Sequence, residues 1–143
     1  MVNAERKARA GAALAPPGAH VIGSDTDVAL DGRVLGKPVD RAAAAERLRA
    51  LSGRSHRVHS GVFILGGDRP LSGSETTIVR FRRLTDPEIE LYLDTGEWRG
   101  RAGGYAVQGL GSSLIAGIEG DLSNVIGLPL PLLASLIGEL RER

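Results

Sequence analysis

Two periodicities alternate along the chain, and the points where one gives way to the other divide it into helices and strands. Residues 4–14 are rich in alanine and charge and predict a helix, stopped by Pro16-Pro17-Gly18. Val21 to Leu30 predicts a strand, broken in its middle by the polar run Ser24-Asp25-Thr26-Asp27. Asp31-Gly32 suits a two-residue hairpin turn, whose central positions favour residues that tolerate positive φ, and the chain returns through Val34-Leu35. Asp40 can cap a helix from Arg41 to Leu51 that puts Ala45, Leu48 and Leu51 on one face, with Gly53 closing it. Arg57 to Leu65 alternates again, with Val58, Val62 and Ile64 on one side. After a turn at Gly66 to Pro70, Thr76 to Leu84 is the next strand.

Thr85-Asp86-Pro87-Glu88 has the form of a capping box, and Ile89 with Tyr92 or Leu93 supplies the buried side of the helix it starts; Gly96 stops it. Gly100 to Gly111 is a glycine-rich loop, and Leu114 to Ile118 a short strand. Pro129 and Pro131 introduce a last helix, whose Leu132, Leu133, Leu136, Ile137 and Leu140 form a continuous apolar stripe. No repeat and no linker divides the pattern, so it predicts a single mixed α/β domain over residues 1–143.

Composition narrows the classes. Apolar residues make up 42% of the 143, enough for a core, and aromatics only 3%, so aliphatic side chains must fill it. A net charge of +1 gives no global field toward nucleic acid or an acidic membrane. The absence of cysteine excludes disulfides, thiolate zinc sites and cysteine nucleophiles. Met1 to Leu14 lacks the apolar centre of a signal peptide, and no apolar run approaches the ~20 residues of a membrane span. A soluble, cytoplasmic protein is expected, with no nucleic-acid or membrane partner; a homodimer is left open. Of the 18 basic residues only Lys7 and Lys37 are lysine. Either this is chance, or those two positions need a compact ammonium rather than a planar fork.

The candidate chemistry lies in polar interruptions. Asp25, where a strand meets polar residues, either helps hold a hard cation and deprotonates water or belongs to a hydrogen-bonded Asp-Thr turn. Lys37, between Gly36 and Pro38, either meets a phosphate or is solvated. Glu75 either completes a metal site or is exposed, and Gln108 either offers its amide to a base edge or makes a loop hydrogen bond. His56 and His59 lie three apart on an alternating strand, face opposite ways, and read as structural. Gly109-Leu110-Gly111-Ser112 lacks the lysine and spacing of a phosphate loop, and no nucleophile elbow is present.

Taken in order, these segments resemble the Maf family. Gly23-Ser24-Asp25-Thr26 and Leu35-Gly36-Lys37-Pro38 look like its first block. Leu51-Ser52-Gly53 with His56, Val58 and Ser60-Gly61-Val62 is similar to the second, and Glu75-Thr76-Thr77 with Phe81 to the third. Residues 102–109, Ile118-Glu119-Gly120-Asp121 and residues 123–130 are similar to the last. The resemblance covers nearly the whole chain from Lys7 onward. It implies an inosine-triphosphatase-like fold, a mixed curved sheet flanked by helices around a cleft. It also implies hydrolysis of a nucleoside triphosphate to monophosphate and pyrophosphate with a divalent cation, Mg²⁺ or Mn²⁺. Asp25 stands at the family's proton acceptor, and Lys37 and Lys7 at its lysines. Asp25 with Glu75 is the expected metal pair. Thr26 and Gln108 match the residues linked to substrate choice in the branch acting on dTTP and UTP.

The family's Ser-x-Ser-Pro-Arg-Arg loop occurs nowhere in the sequence. The expectation is therefore an N-terminally truncated version of the fold that has lost charge-assisted phosphate contacts. Its alternative to hydrolysis is a catalytically impaired nucleotide-binding or interaction module linked to septum formation and cell division.

Overall fold

The computed structural model describes residues 1–142. Five strands form one antiparallel open sheet in the order β2-β1-β3-β4-β5, with helices flanking it. They are β1 (Val21–Leu30), β2 (Arg33–Leu35), β3 (Ser55–Leu65), β4 (Leu71–Phe81) and β5 (Ile115–Glu119). The helices are α1 (Val2–Ala12), α2 (Arg41–Leu51), α3 (Asp86–Asp94), α4 (Leu122–Ile126) and α5 (Leu130–Arg141). The α/β class expected from the sequence is what the chain adopts. Contacts group the chain into two compact units: residues 1–26, 59–76 and from 121 onward in one, and 27–58 with 77–120 in the other.

In the first unit the governing contact is between α1 and a glycine. A Cβ at Gly23 would lie 2.1 Å from the carbonyl oxygen of Ala4 and 2.5 Å from the amide nitrogen of Ala8. Only glycine lets the helix backbone come so close to β1. Ala4 and Ala8, one turn apart, are fully buried against Phe63 and Leu65. On α5, Leu136 packs into Val62, Ile64 and Leu71, with Leu132, Leu133, Ile137 and Leu140 beside it, as the apolar stripe predicts. Strand β4 starts five residues before the predicted Thr76 and ends at Phe81. At Gly73 a Cβ would meet Leu132 at 2.7 Å, so the glycine accommodates α5.

In the second unit, Asp31 (φ 51°) and Gly32 (φ 76°) make the expected hairpin turn between β1 and β2. Asp40 caps α2, accepting from the N–H of Ala43 at 2.8 Å, and Thr85 with Glu88 closes the capping box of α3. Arg41 on α2 pairs with Glu90 and Asp94 on α3. Phe81, His56 and Tyr105 stack edge to face at centroid distances of 4.8–5.5 Å.

Candidate active site

Helical spacing builds the first unit's polar centre. Asn3 and Lys7 stand four apart on α1, hence on one face, and both reach the same carboxylate. The Lys7 ammonium donates to Asp25 Oδ1 at 2.6 Å and to the carbonyl of Ser24 at 3.1 Å; Asn3 Nδ2 donates to Oδ2 at 3.1 Å. An ammonium carries three protons. Two of those on Lys7 are committed, and the third is left for a ligand. Of the two readings of Asp25, the Asp-Thr turn is not what forms: β1 runs unbroken through residues 24–27, and the carboxylate pairs with α1.

Desolvation, the largest single influence on the Asp25 carboxyl, pushes its pKa up; the hydrogen bonds from Lys7 and Asn3 and the charge of Lys7 outweigh it, so the net position is below the ordinary value. Lys7→Ala removes the principal lowering influence. The Asp25 titration followed by carboxyl NMR should then move upward; an unchanged midpoint would show that Lys7 does not set it.

Thr26 follows on the same strand, and its Oγ1 donates to the carbonyl of Gly127 at 3.2 Å. A hydroxyl has one proton, so at 2.7 Å the Ser60 hydroxyl is then the donor to Thr26. Ser24 Oγ donates to the same Gly127 carbonyl at 3.3 Å. Glu75, on β4, accepts from the N–H of the next residue, Thr76, at 2.8 Å. Among the described residues no group of three or more acidic or histidine side chains is arranged to hold a metal ion. Two hard carboxylates are nevertheless a donor set that suits Mg²⁺ or Mn²⁺, which keep waters and take much of their shell from substrate phosphates.

Lys37 and Gln108 belong to the second unit. Lys37 sits in an exposed turn held on either side: Arg47 donates to the Gly36 carbonyl at 2.9 Å, and Pro38 is buried. Its ammonium has no partner among the described residues. Gln108 is exposed in the glycine-rich loop with extended backbone (φ −78°, ψ 150°). Its amide is likewise unpartnered among the described residues, so the loop hydrogen bond that the sequence allows does not form. His56 is buried and His59 exposed, the opposite facing that their spacing implies.

The sequence assigns no role to Asn3, Ser60 or Gly127, although the last two lie within the family blocks. A helical wheel puts Asn3 beside Lys7 and is the signal that could have found it. Gly127 contributes a carbonyl, which every residue has, so no side-chain pattern marks it.

The fold is a mixed α/β one that carries these sequence blocks in order. The profile of the Maf-like protein family matches residues 1–140, and the chain belongs to that family. It is 48% identical over 117 residues to the dTTP/UTP pyrophosphatase of Pyrococcus furiosus, covering 82% of this chain and 62% of that protein. The dTTP/UTP pyrophosphatase of Symbiobacterium thermophilum is 52% identical over 125 residues, 87% of this chain and 64% of its own length. That of Syntrophotalea carbinolica is 53% identical over 118 residues, 79% and 52% respectively. The chain thus spans between about half and two thirds of the length of these relatives. No helix of the described residues is long and apolar enough to cross a membrane.

Proposed function

We propose that this chain hydrolyses a pyrimidine nucleoside triphosphate, dTTP or UTP or a modified form of them, between the α and β phosphates. Water adds to the α phosphorus, the bond to the bridging oxygen breaks, and monophosphate and pyrophosphate leave. The Lys7–Asp25 pair at 2.6 Å carries the reading. It sets an ionised carboxylate beside an ammonium with one uncommitted proton, in a chain whose relatives are dTTP/UTP pyrophosphatases.

Each residue has a role its chemistry fits. Asp25, held ionised, takes the proton of the attacking water; its Oδ2, bonded only to Asn3 among the described residues, keeps lone-pair capacity for it. Lys7 gives its third N–H to a phosphate oxygen, and the unpaired ammonium of Lys37 binds another, offsetting charge on the departing pyrophosphate. Gln108 reads the base edge, since a donor and an acceptor fixed together leave a buried polar group unpaired when the wrong base enters. Thr26 assists in substrate choice with its remaining acceptor lone pair. Asp25 and Glu75 would hold a divalent cation, which when bound neutralises phosphate charge. The substrate is the free cytoplasmic nucleotide.

A pyrophosphate-release assay with Mg²⁺ or Mn²⁺ and a panel of triphosphates tests the reading. Release from dTTP and UTP should exceed that from purine triphosphates by about tenfold or more. Release of orthophosphate instead, or of nothing above buffer, would overturn it.

A further inference from the structure

The residues proposed to act on the nucleotide were all singled out in the sequence; the carboxylate that organises the loop around Gln108 was not. Glu97 follows α3 just beyond the Gly96 stop. Its Oε1 accepts from the hydroxyl of Tyr92 at 3.1 Å and from the N–H of Gly111 at 3.0 Å, and its Oε2 from the N–H of Leu110 at 3.0 Å. The Tyr92 oxygen in turn accepts from the N–H of Ala106 at 3.0 Å. The backbone is therefore tied to one carboxylate on both sides of Gln108: two residues before it through Tyr92, and two and three residues after it directly.

The loop's glycines fit this clamp. Gly109 has φ +77°, and a Cβ there would stand 2.7 Å from Glu97 Oε2; a Cβ at Gly111 would stand 1.8 Å from the carbonyl oxygen of Ala106. Both positions exclude a side chain so that the loop can close on Glu97 and on itself. Glycine there also makes the unclamped loop unusually free, since each such residue has the most conformational entropy to lose. The donors and acceptor are in the right charge states. Burial pushes the Tyr92 phenol above its ordinary range, keeping it a donor. On Glu97, burial raises the carboxyl pKa, but the N–H groups of Leu110 and Gly111 and the Tyr92 hydroxyl outweigh it and hold the carboxyl below its ordinary value.

We propose that Glu97, acting through Tyr92 and the backbone of residues 106–111, is the positioning residue that sets base discrimination at Gln108. This rests on the reading that Gln108 meets the base. An amide discriminates only while its donor and acceptor stay fixed in space. Releasing the loop averages that geometry, yet leaves Lys7, Lys37 and Asp25 as they are. The loss therefore falls on KM for the pyrimidine substrate and on selectivity, and little on kcat. A carboxylate suits the position because it accepts from all three donors. In Glu97→Gln the amide NH₂ must face one of them, which breaks one arm and retains the rest.

The test compares kcat and KM for UTP and GTP in the wild type, E97A, E97Q, Y92F, Q108A and the double variant E97A/Q108A, with thermal melting to confirm folding. The UTP/GTP ratio of kcat/KM should fall about tenfold in E97A, through KM, and by less in E97Q and Y92F. In the Q108A background, E97A should change the ratio little further, because its effect passes through Gln108. A wild-type ratio in E97A, or a loss equal for both nucleotides and additive with Q108A, would overturn the proposal. If E97A does not fold, E97Q and Y92F decide the matter on the same criteria: a lowered ratio supports the clamp, and a wild-type ratio in both overturns it. A wild type that releases no pyrophosphate overturns the enzymatic reading instead. The ratio is then taken from binding of non-hydrolysable α,β-methylene analogues of UTP and GTP. There too, a selectivity that falls in E97A supports the role of Glu97, and an unchanged selectivity overturns it.

Discussion

Asp25→Asn should lower pyrophosphate release by about three orders of magnitude, within the range contributed by a positioned general base, while the protein melts within a few degrees of the wild type. The two halves of this expectation have separate causes. Asparagine is isosteric, so its Oδ1 still accepts from Lys7, and the exposed Asn3 amide turns its own oxygen toward the new Nδ2 donor. What vanishes is the negative charge and the capacity to take a proton. The fold tolerates the loss because the Lys7 side chain is 59% exposed and water solvates the ammonium left unpaired. Catalysis does not tolerate it, since a neutral amide cannot accept the proton water must lose on attacking phosphorus. Turnover within tenfold of the wild type would remove Asp25 from the role of proton acceptor. A collapse of the melting temperature would instead make the Lys7–Asp25 pair structural.

The parts of the chain legible in the sequence are those decided by neighbours a few residues away. Strand β1, helix α2 and helix α3 begin and end where their turn and capping residues say, because Asp31-Gly32, Asp40 and Thr85…Glu88 each satisfy backbone groups locally. Strand β4 begins earlier than its sequence suggests because Leu71-Ser72-Gly73-Ser74 follows no alternating pattern. It is a strand through its place between β3 and β5 in the sheet, and at Gly73 it leaves room for Leu132 on α5, more than fifty residues on. Helix α4 is five residues long, too short for a helical period to register, and rests on the Asp121 cap of Ser123.

The site divides the same way. Residue type and order mark Asp25, Lys7, Lys37 and Gln108. Their geometry is not legible, because Lys7 reaches Asp25 only once Gly23 lets α1 lie against β1, and Gln108 is held by a glutamate eleven residues upstream that looks like any surface carboxylate in sequence.

Acidification should destabilise the second unit well before its carboxylates are protonated, and His56 is the reason. The ring is 3% exposed, packed edge-on against Phe81 and Tyr105, with Nε2 bonded to the Tyr105 hydroxyl at 2.6 Å and Nδ1 without a partner among the described residues. Whichever tautomer is present, a second proton would put a charged ring with an unanswered nitrogen inside the core. Desolvation accordingly lowers the His56 pKa from 6.5 to about 4. The folded value lies below the unfolded one, so the folded chain binds its proton later as pH falls. The stabilisation is complete above pH 6.5 and drains away between there and about 4, reaching a loss of about 3 kcal/mol at the acid end. For a chain of this length that corresponds to about a 10 °C fall in Tm. His56→Gln keeps a polar partner for Tyr105 and removes the titration. It should be less stable at pH 7, from lost ring packing, yet its melting temperature should be nearly flat from pH 7 to 5, where the wild type slopes. Parallel slopes in the two proteins over that window would assign the acid sensitivity to another group and leave His56 a packing residue only.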